Sequence, residues 1–294
     1  MPSRKNATIV GLVAIALWSS IVGLIRSVSE GLGATGGAAM IYSVASVLLL
    51  LTVGFPRLRE MPRTYLIWGS VLFVSYELCL ALSIGYAHTG QQAIEVGMVN
   101  YLWPTFTMIA AIVFNGQRAS GLVYPGLLIS LAGIVWVLAG EQGFNVSGML
   151  ANVQDNPLSY GLAFAGALIW AAYCTVTARI ANGKNGIALF FMLTALVLWV
   201  KYLAAGDATM HWSMPTAIHL GLAAAAMGFG YAAWNVGILH GNVTVLAGAS
   251  YFTPVLSAAL AAVVLQVPLT ASFWTGGFMV CGGAILCWLA TRRS

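Results

Sequence analysis

The chain has 294 residues, of which 60% are hydrophobic and only 6% charged, and its net charge is +5. Soluble domains carry about 25% charged residues, so this composition excludes a water-soluble enzyme or binding module. A bilayer core about 30 Å thick needs roughly 20 apolar residues per crossing. The chain has room for about ten crossings and little else, so residues 1–294 read as a single transmembrane domain.

In chain order, the apolar runs predict spans over about 7–27, 34–54, 65–87, 91–114, 120–140, 157–180, 186–205, 215–239, 243–266 and 270–290. Gly31 to Gly37, Pro56 to Pro62, Asn115 to Arg118, Asn182 to Gly186, Gly241 to Asn242 and Pro268 punctuate them. The basic Met1 to Asn6 leads directly into the first run, which is too long for a signal peptide and reads as an uncleaved span. The one sizeable connection, about 141–156, is polar and glycine-bearing and reads as a loop. Cys79, Cys174, Cys281 and Cys287 all fall inside apolar runs without CxxC spacing, so neither a disulfide framework nor a metal site is expected.

An even number of spans puts both termini on one side. Arg4, Lys5, Arg57, Arg59, Arg63, Arg118, Arg179, Lys184, Arg292 and Arg293 fall on that side, and only Arg26 and Lys201 on the other. Positive charge stays cytoplasmic, so both termini are expected in the cytoplasm. Glu30, Glu141, Asp155 and Asp207 fall on the outer side. The positive charge sets topology; it is not a nucleic-acid patch.

An internal repeat organises the chain further. Tyr101-Leu-Trp-Pro104 aligns with Tyr251-Phe-Thr-Pro254 at an offset of 150, and Gly126 and Gly133 align with Gly276 and Gly283 at the same offset. Earlier the offset is 152: Ser83-Ile-Gly85-Tyr-Ala-His88 aligns with Asn235-Val-Gly237-Ile-Leu-His240, and Trp18 with Trp170. Repeat one spans about 7–140 and repeat two about 157–290. Five spans in each half force the second half to enter from the opposite face, which is the inverted-topology repeat of many secondary transporters. The expected fold is an all-α polytopic membrane protein, ten transmembrane helices as a 5+5 inverted repeat around a central cavity.

Candidate site residues follow from helical spacing. Asn100, Trp103 and Thr107 share a face of the fourth span, and Gly97 extends it. Tyr76 and Ser83 do so on the third, Trp170, Tyr173 and Thr177 on the sixth, and Gly228, Tyr231 and Asn235 on the eighth. With Trp18, Tyr101 and Ser250 these form a ring-rich, neutral-polar lining suited to a solute with apolar bulk; the bland alternative is interhelical hydrogen bonding. Pro104 and Pro254 each free a backbone carbonyl in mid-span and read either as static kinks or as paired hinges. Glu77 lies mid-span, where an acid is expensive; it reads as a coupling or ammonium-binding group, or as a hydrogen-bonded acid between helices, while His88 and His240 read as end-of-helix residues, with His88 the second coupling candidate. Glu95 reads as a local feature near the outer mouth. Arg26 reads as a snorkelling side chain or a carboxylate ligand. No GxSxG, HExxH, P-loop or dinucleotide fingerprint occurs, so no enzyme, cofactor or metal is expected.

On these features the chain resembles the drug/metabolite transporter superfamily, in its ten-helix EamA-type branch, and within it the bacterial exporters of aromatic amino acids. The carriers are the short-looped 5+5 repeat, Trp18, the two Tyr-x-x-Pro sequences, and the glycine-rich fifth and tenth spans. The resemblance implies a cavity lined by spans one, three, four, six, eight and nine, alternating access, a place in the bacterial inner membrane, and export of aromatic and other largely neutral amino acids. Two departures count against proton-driven efflux of cationic drugs. Gln117 and Gln266-Val267-Pro268 stand where ten-helix members often carry an acid, and the first span has Trp18 and no acid. A proton-coupled drug or metabolite exporter of the same fold is the alternative; a membrane-embedded enzyme on lipid-linked substrates would need an interfacial cluster of acids or histidines. The expected partners are amino-acid substrates and the lipid bilayer, with no nucleic acid; the oligomeric state is open, and a monomer would suffice.

Overall fold

A computed structural model describes residues 3–206 and 210–292, so Asp207 and Arg293 lie outside the described residues, as do the side chains of Asn235 and Arg292. Every regular element among the described residues is helical. In order they are α1 (Arg4–Ser19), α2 (Ile21–Leu32), α3 (Ala34–Thr52), α4 (Arg63–Gly85), α5 (Gly90–Asn100), α6 (Trp103–Asn115), α7 (Val123–Leu138), α8 (Val146–Asp155), α9 (Pro157–Ile180), α10 (Ile187–Ala205), α11 (Met214–His240), α12 (Val243–Ser250), α13 (Thr253–Leu265) and α14 (Ala271–Arg292). Eight helical stretches are long and apolar enough to cross a membrane, and α7 and α13 are shorter apolar helices. Leu51, Leu203 and Phe114 stand largely exposed, as lipid-facing side chains would.

Three apolar runs are each broken into two helices. Between α5 and α6 the break falls at Tyr101 and Leu102, and Pro104 sits in the first turn of α6. Pro104 has no N–H for the Asn100 carbonyl four residues back, so the ladder lacks that bond, and just before it the turn tightens, with Leu102 N–H on Val99 O at 3.1 Å. Tyr251 and Phe252 separate α12 from α13 in the same way, with Pro254 in the first turn of α13. The prolines therefore start new helices; they do not kink continuous ones. The break between α1 and α2 has no proline. There Ser19 Oγ donates to the Ile15 carbonyl (2.8 Å) and Ser20 Oγ to the Leu17 carbonyl (2.7 Å), and hydroxyls that bond the backbone bend helices.

The connection expected as a loop at about 141–156 contains α8, capped by Asn145, whose side chain accepts from Gly148 N–H. Below it lies a polar network. Glu95, buried, accepts from Gln91 Nε2 (2.9 Å), Asn152 Nδ2 (2.7 Å) and Tyr160 Oη (2.7 Å). These bonds tie α5 to α8 and α9 and give the acid three donors. Arg26 donates to the carbonyls of Gly85 and His88 and pairs with Glu30 at 3.1 Å, so it caps the end of α4. Elsewhere Glu60 receives Lys184 and Arg57, which hold its carboxyl below the usual range.

The closest helix pairs are α7 with α14, α4 with α9, and α1 with α11. On α7 and α14 the contact is backbone to backbone. A Cβ on Gly126 would meet Gly283 O at 2.9 Å, and one on Gly133 would meet Gly276 O at 2.7 Å. Small residues at such crossings let membrane helices gain packing where water cannot drive association.

Candidate functional site: an aromatic cavity at three helix breaks

The three helix breaks converge on one cavity of about 240 Å³. Trp18 and Ile21 flank the first break, Asn100, Tyr101 and Trp103 the second, and Ser250 and Thr253 the third; all of them line it. Tyr76, Glu77, Trp170, Tyr231 and Trp234 complete the polar and aromatic wall. The chain thus opens its helices where it gathers rings and polar groups, the arrangement in which irregular backbone is tolerated in a membrane.

The rings form two clusters. Trp18 lies 5.0 Å from Tyr231 and 5.3 Å from Trp234, joining α1 to α11. Trp170 lies 4.4 Å from Tyr76, 5.0 Å from Tyr173 and 6.2 Å from Trp103, joining α9 to α4 and α6. Phe73 bridges them, 6.1 Å from Trp170 and 5.9 Å from Tyr231. Two glycines permit the approach: a Cβ on Gly230 would lie 2.7 Å from Trp18 Nε1, and one on Gly166 3.2 Å from Asn100 Oδ1.

Glu77 is fully buried, and both its oxygens are engaged. Tyr42 Oη donates to Oε2 at 2.6 Å and Tyr231 Oη to Oε1 at 3.0 Å. Two hydroxyl donors compensate the loss of water around a buried carboxyl group. By contrast, Asn100 Oδ1 is buried and has no partner.

Of the residues expected from sequence, Trp18, Tyr76, Asn100, Tyr101, Trp103, Trp170, Tyr231, Ser250 and Glu77 come together here. Pro104 and Pro254 sit just behind the wall, in the first turns of α6 and α13. Two candidates stand apart, and a third is not described. Ser83 is buried away from the cavity and donates to the Leu80 carbonyl of its own helix at 2.9 Å. Ser83→Ala is therefore expected to leave transport within about twofold of wild type, because it deletes only a local bond; a larger loss of initial rate would return Ser83 to the site. His88 lies at the far end of α4, exposed, with Nδ1 3.3 Å from Asp155 Oδ2, and does not join Glu77. Asn235 has its side chain outside the described residues.

Tyr42, Trp234 and Thr253 went unnoticed in the sequence. Trp234 was legible at i+3 from Tyr231, and Thr253 stands at the repeat equivalent of Trp103. Tyr42 carried no signal beyond the need of a buried acid for donors.

A second hollow of about 520 Å³ lies between α6 and α9. Its walls are mostly aliphatic and phenylalanyl, and its Arg179 and Asn115 donate to the backbone carbonyls of Phe114 and Thr175. Those polar groups are spent on the fold, so the smaller, polar-lined cavity is the candidate site.

Fold and cavity together define an all-α polytopic membrane protein enclosing an aromatic, acid-bearing site. No protein-family model matches the chain. It is 61% identical over 291 residues to the aromatic amino acid exporter YddG of Escherichia coli (strain K12), covering 99% of each chain. It is 61% identical over 293 residues to the aromatic amino acid exporter YddG of Salmonella typhimurium (strain 14028s / SGSC 2262), covering 100% of each. To the exporter of that name from Ancylobacter novellus it is 28% identical over 304 residues, 99% of this chain and 100% of the other. The chain belongs to the family of the aromatic amino acid exporter YddG. A solved structure, described only as that of a protein, matches it with a TM-score of 0.67 at 24% identity over 99% of both chains, a likeness of fold alone.

Proposed function

We propose that the protein exports aromatic and other largely neutral amino acids across the bacterial inner membrane by alternating access. The observation that carries this reading is the cavity itself: four tryptophans and three tyrosines, with Asn100 and Ser250, around about 240 Å³. Drug-sized ligands occupy pockets of about 300–1,000 Å³, so this space suits a single amino acid. Full-length relatives named as aromatic amino acid exporters point the same way.

In this reading residues 1–294 form one domain of ten spans in two inverted repeats, with the broken helices α1–α2, α5–α6 and α12–α13 counted as one span each. The contacts support it. Under the repeat the first span corresponds to the sixth and the third to the eighth, so α1 against α11 is the equivalent of α9 against α4, and both pairs are intimate. Gly126 and Gly133 meet Gly283 and Gly276 crosswise, as a two-fold axis between α7 and α14 requires. The basic-residue bias supports cytoplasmic termini. Trp18, Tyr76, Tyr101, Trp103, Trp170 and Tyr231 stack against the solute, Asn100 and Ser250 hydrogen-bond it, and the breaks at Pro104 and Pro254 let the half-helices swing. The protein catalyses no reaction in this role.

Purified protein in liposomes is expected to show counterflow of labelled phenylalanine. Trp103→Ala should cut the initial rate roughly tenfold, since one ring contact is worth about 0.5–1.5 kcal/mol beyond its area. Absence of counterflow for every aromatic amino acid tried would overturn the assignment.

A further inference from the structure

We infer that the cavity holds its solute by the ammonium pole, and that it therefore also takes aromatic monoamines, which keep the ring and the ammonium and lack the carboxylate. The inference rests on the transporter reading above. Among the described lining residues Glu77 is the one charged side chain, and no lysine, arginine or histidine accompanies it. The charge is also one-sided with respect to the repeat: the position equivalent to Glu77 at the offset of 152 holds Phe229.

Unused acceptor capacity lies at Glu77 and Asn100. Each Glu77 oxygen takes one tyrosine hydroxyl, and a carboxylate oxygen has a further lone pair to offer. Asn100 Oδ1 is 3% exposed as a residue, lines the cavity and has no donor. A buried acceptor left without a donor is costly, and a ligand N–H relieves it. Pro104 withholds an N–H from the Asn100 backbone carbonyl as well. Trp18 Nε1, a buried donor without a partner, is turned toward α11, where Gly230 leaves room for it.

An alkylammonium brings three donors and a positive charge. It meets Glu77 and Asn100 at one end of such a solute while tryptophan and tyrosine faces receive the ring and add cation–π attraction. A carboxylate finds no counter-charge in this wall. The site thus requires the ammonium and tolerates the carboxylate.

The test compares three ligands on the unaltered full-length protein in detergent, by calorimetry and by displacement of labelled phenylalanine. They are phenylalanine, phenethylamine (ammonium only) and N-acetylphenylalanine (carboxylate only). Phenethylamine is expected to bind within about fivefold of phenylalanine and displace it, with N-acetylphenylalanine at least about fiftyfold weaker. Glu77→Gln should weaken phenethylamine about tenfold or more, the scale of one charge-assisted bond; should that variant fail to fold, the three-ligand comparison decides alone. Binding of N-acetylphenylalanine without phenethylamine would overturn the inference. If phenethylamine binds and phenylalanine does not, the amino-acid reading falls while the ammonium site stands; if neither binds, both fall.

Discussion

Gly283→Leu is expected to abolish recovery of folded protein, whereas Gly282→Ala, one residue away, is expected to be neutral or mildly stabilising. A Cβ on Gly283 would run into Ser130 Oγ and lie 2.5 Å from the Gly126 carbonyl and 2.6 Å from the Ser130 amide. Two of these are backbone atoms of α7, which cannot rotate away, so the helices would have to separate. Overpacking in a tight core costs about 1–3 kcal/mol, and more where backbone must move. A loss of about 3 kcal/mol changes the folded-to-unfolded ratio roughly a hundredfold. A Cβ on Gly282 meets nothing within 4 Å, and its repeat equivalent is already Ala132. Replacing a helical glycine by alanine there gains about 0.5–1 kcal/mol of backbone entropy. The measurement is the monodisperse fraction and melting temperature in detergent. A Gly283→Leu protein that melts within a few degrees of wild type would mean that α7 and α14 do not touch as described.

The same glycines show how far the sequence could be read. Gly126, Gly133, Gly276 and Gly283 were visible as a repeat because a helix crossing at backbone distance admits no side chain, and that restriction is local to each position. The rings Trp18, Trp103 and Trp170 were legible for a related reason: each lies deep in an apolar run, where an interfacial belt explains it poorly. The partners of Glu77 were not legible. Tyr42 lies on α3, 35 residues away, and which hydroxyl reaches a buried acid depends on how helices pack side by side. Helix spacing does not encode that. The break at Ser19 and Ser20 was missed because no proline marks it, and a serine bends a helix only when its hydroxyl turns back on the backbone. Helix α8 was missed for want of length. Val146, Met149, Leu150 and Val153 follow i, i+3, i+4, i+7, but ten residues of polar surroundings read as a loop beside spans twice as long. Ser83 misled because a mid-span hydroxyl on the right face can satisfy itself on its own helix, as it does at 2.9 Å.

Trp170→Ala is expected to produce the largest loss of transport among single changes to the cavity wall, raising half-saturation for an aromatic amino acid roughly thirtyfold. Trp170 lies within 4.4–6.2 Å of Tyr76, Tyr173, Phe73 and Trp103, so it is the ring on which the α4, α6 and α9 side of the cavity is assembled. Removing it takes away one stacking face for the solute and loosens two others, Tyr76 and Trp103. Two ring contacts at about 0.5–1.5 kcal/mol each give about 2 kcal/mol, or roughly thirtyfold in affinity. The truncation also leaves a void, with a stability cost of about 3–5 kcal/mol for Trp→Ala in a packed core, so a second variant is needed to separate binding from folding. Trp170→Phe keeps a ring in contact with Tyr76 and should restore half-saturation to within about fivefold of wild type. Small neutral amino acids, which have no ring to stack, should lose less than aromatic ones in Trp170→Ala, so the ratio of the two rates reports recognition independently of how much protein inserts. A Trp170→Ala protein with unchanged half-saturation for phenylalanine, or with equal losses for phenylalanine and alanine, would remove Trp170 from the solute's path. The paired loss would instead assign the ring to holding α9 against α4, the position its repeat equivalent Trp18 occupies between α1 and α11.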